Sequence, residues 1–282
     1  MYGKYLDNVR KMQPMIHSIT NYVTANDVAN MLFACGAAPC MADDVNEVKD
    51  IVMLSSGLTV NLGTLNKDRF EAMVVAATAA IRSGKPIVFD PVGAGSSESR
   101  TAGAKQFLFL SKPTVIRGNL SEIKVLAEIQ SSDRPVFRGL TRGVDSPIAG
   151  FRDSLQSAVT LAKKTGAITV VTGESDLITD GKTLVCVSNG DPLLKKITGS
   201  GCMMSAVITA FISANPDNLL EAVTAAVCAI GICGETARER MTKEDGNATF
   251  RNYFIDAMYN LDGDTLDSKA KVSIKGAQDE DK

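Results

Sequence analysis

The chain has no tryptophan, one histidine and only 5% aromatic residues in a length of 282. Hydrophobic residues nevertheless make up 45%, with Ala, Val and Ile prominent, which is the composition of a soluble α/β enzyme. The length suits one alternating α/β unit and does not require two domains. The single histidine, His17, has no acidic or cysteine partner at ligand spacing, so a structural or substrate-adjacent role outweighs that of a general base. Positive and negative residues nearly cancel, leaving a formal charge of −2 with no block of lysine or arginine. Nothing therefore draws the protein electrostatically to nucleic acid or to an anionic membrane. The six cysteines form no C-x-x-C pair. Most sit in apolar stretches where a thiol acts as a small hydrophobe, Cys228 and Cys233 among them, and a reduced cytoplasmic setting is expected. Met1 to Tyr5 lacks the apolar core of a signal peptide, and no uninterrupted apolar run reaches membrane-spanning length, so neither secretion nor membrane insertion is expected.

What is present is alternation. A short strand is predicted around His17–Thr24, then a helix from Ala25 to Cys35 stopped by Gly36. A helix over 47–56, a strand Leu58–Asn61 and a helix Asp68–Arg82 follow, then the strand ending in Phe89-Asp90. A helix over 101–110, the strand Thr114–Arg117, a helix from about Ser121, a helix over 154–165 and the strand Ala167–Thr172 continue the series. These βαβ units imply an α/β fold with a mainly parallel central sheet and helices on both faces. Asp180-Gly181 between two apolar runs is a hairpin signal and closes the sheet with an antiparallel edge. Helices are expected over 202–214, 218–240 and 250–261. The charged stretch 262–282 reads as a largely disordered tail, leaving 1–261 as the folded domain.

The most informative stretch is Thr198-Gly199-Ser200-Gly201-Cys202, a glycine-rich turn running into a long apolar helix. Its unpaired N–H groups and the positive helix end form a site for negative charge, although the same spacing also fits a plain tight loop. In an open parallel sheet ligands collect at the carboxyl ends of the strands. The polar residues there are Asn21, Asn61, Asp90, Arg117, Asn119, Glu122 and Thr172. Asp90 and Glu122 suit a magnesium site that is completed by water and phosphate. Asp90 could equally cap its loop, and Glu122 could complete a capping box with Asn119. Arg117 and Thr172 supply a cation and a hydroxyl for phosphates, with Asn119 beside them, and Asn21 is a candidate substrate contact.

The segments 17–24, 61–66, 90–95, 114–122, 170–174 and 198–202 together resemble those of hydroxyethylthiazole kinase, a branch of the ribokinase-like superfamily. The resemblance runs from about residue 10 to residue 260. The Asn-x-x-Glu element and the Gly-x-Gly turn mark the superfamily. Cys202, where most sugar kinases of that fold carry aspartate, points to the thiazole branch. The resemblance implies a single ribokinase-like domain and ATP-dependent phosphorylation of the primary alcohol of 4-methyl-5-(2-hydroxyethyl)thiazole for thiamine phosphate synthesis. Met41 and Gly199 would contact the thiazole, Arg117 and Thr172 ATP, and Asp90 and Glu122 would lie near magnesium, with Cys202 beside the substrate hydroxyl. A homotrimer with active sites at subunit interfaces is also implied. Two places depart from the family pattern: Asp43-Asp44 after Met41, and 245–250, which lacks a Gly-Pro-Gly-like turn. The alternatives are a hydroxymethylpyrimidine-type kinase of the same fold, a thiol enzyme using Cys202 as nucleophile, and a non-catalytic nucleotide or vitamin sensor. A helix N-terminus can also lower the pKa of Cys202, so some thiolate near neutral pH is expected.

Overall fold

The computed structural model describes residues 1–130 and 147–276, with backbone alone for 147–152. The elements run α1 Gly3–Met12, β1 Met15–Ile19, α2 Ala25–Cys35, β2 Ala38–Cys40, α3 Val48–Leu54, β3 Gly57–Asn61 and α4 Lys67–Arg82. They continue with β4 Ile87–Asp90, α5 Glu98–Leu110, β5 Val115–Asn119, α6 Leu120–Ile129, α7 Pro147–Thr165 and β6 Ile168–Thr172. The last part contains β7 Asp176–Thr179, β8 Thr183–Val187, α8 Ser200–Ala214, α9 Leu219–Arg240, α10 Asn247–Asn260, α11 Gly263–Lys269 and β9 Val272–Gly276.

Nine strands form one sheet in the order β2-β1-β3-β4-β5-β6-β7-β8-β9. From β2 through β6 every pairing is parallel, and from β6 onward every pairing is antiparallel. The parallel strands are buried on both faces, which is why β3, β4 and β6 read as continuous apolar runs instead of alternating patterns. Two apolar cores result, one on each face. One packs α1, α2, α8, α9 and α10 against the sheet, and the other packs α3 to α7. By length and hydropathy α9 alone among the described helices could cross a membrane, yet 72% of its apolar window is buried in this core.

Two expectations change. The segment beyond 261 forms α11 and β9, and β9 pairs along the whole of β8 from Thr183↔Gly276 to Val187↔Val272. Its charge marks an exposed edge strand, since four of the five β9 residues are exposed. The 277–282 part of the expected tail lies outside the described residues. The Asp-Gly hairpin is real, but β9 and not the hairpin forms the sheet edge. The helix α1, unpredicted, buries Tyr5, Leu6 and Val9 at helical spacing.

The position of α8 matters most for function. Ser205, Thr209 and Ser213 recur every four residues along one side of this otherwise apolar helix, and that side lies on β3 and β4. Thr209 Oγ1 meets Thr59 Oγ1 at 2.7 Å, and Ser205 Oγ donates to Asp90 Oδ2 at 2.8 Å. Near the other end, a Cβ at Gly57 would stand 2.3 Å from Ser213 Oγ and 2.9 Å from Thr209 Cγ2. Small residues on both sides let the helix sit close to the sheet and aim its N-terminus at the strand ends. Gly57→Val should therefore lower stability by roughly 1–3 kcal/mol through overpacking. Urea denaturation checks this, and an unchanged midpoint would show that α8 has room to move.

Candidate active site

The carboxyl ends of β1, β3, β4, β5 and β6 converge on the N-terminus of α8. Gly199 is the N-cap of that helix at φ 88°, a left-handed conformation that favours glycine. A Cβ there would also stand 2.7 Å from Thr24 Cγ2. The first intrahelical bond is made by Met203 N–H to Gly199 O, so the N–H groups of Ser200, Gly201 and Cys202 have no partner in the helix ladder. These are the N–H groups that the sequence reading offered as a site for negative charge. The Ser200 hydroxyl is turned out of it and donates to Leu194 O at 2.8 Å. Ser200 therefore contributes its backbone alone.

Arg117 lies over this site. A Cβ on Gly201 would fall 2.5–2.8 Å from its guanidinium atoms, so the second glycine makes room for the arginine. Arg117 Nη2 donates to Thr172 Oγ1 at 3.0 Å, and Nη1 lies 3.6 Å from Asp90 Oδ2. Its Nε is buried without a partner. A guanidinium with donors to spare beside three backbone N–H groups outside the helix ladder is suited to phosphate oxygens.

Asp90, at the end of β4, has no exposed surface. Its Oδ2 accepts from Asn61 Nδ2 at 2.9 Å and from Ser205 Oγ, while Oδ1 is buried with no partner. Burial raises the pKa of this carboxyl, and Arg117 and the two hydrogen bonds act in the opposite direction. Glu122 completes the capping box anticipated with Asn119: Asn119 Oδ1 accepts Glu122 N–H at 3.0 Å and Glu122 Oε2 accepts Asn119 N–H at 2.9 Å. Its Oε1 accepts Gly93 N–H at 2.9 Å, pinning the turn after Asp90 to the start of α6. Burial and the charge of Asp90 both raise the pKa of Glu122.

The structure also moves three candidates from their expected parts. Cys202 is not an acidified thiol: burial first and the Asp90 carboxylate second push its pKa up, against the opposing effects of the Thr24 side chain, Arg117 and the Asn21 amide. The oxygen of Asn119 is committed to its cap. Asn21 spends its side chain inside the protein, accepting Thr24 N–H at 3.1 Å and donating to Asn61 Oδ1 at 3.2 Å and to Cys202 Sγ at 3.4 Å. Met41 follows β2 beside β1 and packs half-buried against the same core as Cys202. His17 is fully buried and neutral in character, its pKa lowered by burial, and its Nε2 meets Ala42 O at 2.8 Å, holding the Met41 segment. The unusual acids are absorbed locally: Asp43 pairs with Arg69 at 2.6 Å, and Asp44 accepts Asn46 N–H at 2.8 Å. In the other departure, Asp245 accepts Thr242 N–H at 2.7 Å, closing the turn that leads to α10.

Ser205 escaped the sequence reading, although a serine three residues after Cys202 in an apolar helix was a visible signal. Asp176 is a second omission. It is buried at the start of β7 and accepts Gly173 N–H at 3.0 Å, one residue beyond Thr172.

The sequence model of the hydroxyethylthiazole kinase family matches residues 6–264. A hydroxyethylthiazole kinase of Clostridium acetobutylicum is 48% identical over 277 residues, covering 96% of this chain and 98% of the relative. Among solved structures, a hydroxyethylthiazole kinase protein of Pyrococcus horikoshii superposes with a TM-score of 0.86 at 31% identity, covering 97% and 98% of the two chains. A ribokinase-like superfamily protein of Enterococcus faecalis superposes at 0.58 with 11% identity, covering 90% and 88%, and shares the fold.

Asp176 yields a test of the site's electrostatics. Burial raises its pKa to about 6, so the native state binds its proton more tightly than the unfolded chain. Its carboxylate therefore costs stability progressively as pH rises from the ordinary carboxylate range through about 6. Asp176→Asn keeps an acceptor for Gly173 N–H and removes the charge. The variant should be more stable than the parent by about 3 kcal/mol above pH ~7 and no more stable below pH ~4. Urea titrations across that range check it, and a difference independent of pH would refute the assignment.

Proposed function

The chain belongs to the hydroxyethylthiazole kinase family, and from that premise we propose how its residues transfer the γ-phosphate of ATP to the primary alcohol of 4-methyl-5-(2-hydroxyethyl)thiazole. The observation that carries the reading is the meeting of Arg117, the buried Asp90 and the N-terminus of α8 at one group of strand ends. Such transfer needs positioning and charge neutralisation more than covalent help. Arg117 and the Thr172 hydroxyl hold phosphate oxygens of ATP, with the Asn119 amide beside them. The N–H groups of residues 199–202 meet the negative charge that grows on the transferred group. Gly199 presents its backbone, and Met41 its side chain, to the thiazole.

Cys202 receives the alcohol proton. Only the thiolate can take that proton: the raised pKa makes it the minor form at rest, and as the γ-phosphoryl group passes from ADP to the alcohol oxygen the proton moves to the sulfur and leaves a thiol. Magnesium fits the site through Asp90, whose Oδ1 is a buried oxygen without a partner in the protein. Glu122 fits only at a remove, through water, because each of its oxygens already accepts a backbone N–H. Bound there, the cation would neutralise phosphate charge and orient the β- and γ-oxygens.

We further propose a homotrimer with subunits completing each other's sites. The support is Tyr22 and Val23, which directly follow Asn21 and are 72% and 58% exposed, an apolar rim that a second copy of the chain would cover. Buried thiols at Cys35, Cys228 and Cys233 support a reducing, cytoplasmic setting.

ADP release with the thiazole alcohol, and its loss when magnesium is chelated, is the primary test; preference for hydroxymethylpyrimidine would reject the substrate. Cys202→Ala should slow turnover by about 10²- to 10⁴-fold, the range for losing a general base, with nearly normal KM for ATP. Gly201→Val should do worse, since its side chain would displace the Arg117 guanidinium and deform the donors. An active Gly201→Val beside a completely dead Cys202→Ala would make the thiol, not the anion hole, the principal element.

A further inference from the structure

Two amide nitrogens face the Cys202 sulfur, Asn61 Nδ2 at 3.3 Å and Asn21 Nδ2 at 3.4 Å. Their directions are fixed by backbone donors. Gly63 N–H donates to Asn61 Oδ1 at 2.9 Å, and Thr24 N–H donates to Asn21 Oδ1 at 3.1 Å. A backbone N–H cannot accept a hydrogen bond, so neither amide can be turned round without facing one donor with another. Every amide hydrogen then has a destination. Asn61 gives one to Asp90 Oδ2 at 2.9 Å and one to the sulfur; Asn21 gives one to Asn61 Oδ1 at 3.2 Å and one to the sulfur. The pair closes around Gly63, where a Cβ would stand 2.9 Å from both Asn21 and the Asn61 oxygen.

This polarity has a chemical consequence. Both amide oxygens point away from Cys202, so the thiol has nothing on that side to donate to, and its sulfur meets the amides only as an acceptor. The charged groups that face it are Asp90 from β4 and Arg117 from β5, and the Thr24 hydroxyl faces it from the turn before α2. Neutral donors suit this place. They favour electron density on sulfur without supplying a cation that would pair with Asp90 and block its free oxygen.

We propose that Asn21 and Asn61 are positioning residues for phosphoryl transfer, a paired-amide cradle that holds the Cys202 sulfur as an acceptor with its remaining side turned to the substrate alcohol. The inference rests on Cys202 as the proton acceptor, and it withdraws Asn21 from direct contact with substrate. Asn21 offers the cleaner test, because unlike Asn61 it does not touch Asp90. Asn21→Ser retains an oxygen for Thr24 N–H and removes both amide hydrogens.

Kinetics of Asn21→Ser, Cys202→Ala and the double variant form a cycle. The expected result is a loss of tenfold or more in kcat for Asn21→Ser, with KM for ATP and thiazole within about threefold, and a loss under threefold when the same change is made in Cys202→Ala. Equal fractional losses in both backgrounds would overturn the cradle, since the amide would then act on the fold and not through sulfur. Should Cys202→Ala be too slow to measure or Asn21→Ser fail to fold, the crystal structure of Asn61→Ala decides: a Cys202 side chain rotated or split between rotamers supports the cradle, and an unmoved one overturns it. Full activity of Cys202→Ala would instead reject Cys202 as the acceptor, whatever its rotamer does.

Discussion

A carboxylate with no exposed surface is the constraint around which this protein is assembled. An isolated buried charge costs several kcal/mol, so Asp90 is tolerable only with donors brought to it from elsewhere in the chain. Asn61 comes from β3, Ser205 from α8 and Arg117 from β5, and all three address the same oxygen. Satisfying Oδ2 therefore sets two neighbouring strands and the central helix in register. Oδ1, by contrast, is buried and has no hydrogen-bond partner among the described residues.

The same economy governs α8. Its Ser205, Thr209 and Ser213 side is small and polar enough to approach β3 closely, and that approach places the helix N-terminus among the strand ends. The two glycines of the turn then answer different neighbours. Gly199 needs a left-handed backbone and has Thr24 against it, whereas Gly201 leaves space for a guanidinium. On the far side, Glu122 ties the turn after Asp90 to the cap of α6. A residue expected to be either a cap or part of the metal site is a cap by geometry, with each of its oxygens accepting a backbone N–H.

Opposing effects meet at Cys202. The Thr24 side chain, Arg117 and the Asn21 amide favour a negative sulfur, while burial and Asp90 disfavour it, and the second group prevails. Position in the first turn of a helix is legible in a sequence, but depth below the surface and distance from a carboxylate are not. The expected sign of the thiol shift was wrong for that reason.

The sequence by itself determined the alternation of strands and helices, because doubly buried parallel strands must be short apolar runs and their crossovers must be helical. It also determined which polar residues lie at strand ends, and it carried the glycine turn and the Asn-x-x-Glu cap, since these are local features a few residues long. The end of the chain was misread because charge in 262–276 is compatible both with a tail and with an exposed edge, and the ladder to β8 is a pairing across the fold. Tertiary structure alone decided that Ser205, 115 residues from Asp90, is its hydrogen-bond partner. It also decided that Asn21 faces a sulfur 181 residues away instead of open space. The direction of a side chain at a strand end is set by whichever donors the packed neighbours leave unpaired, and those neighbours meet only in the folded molecule.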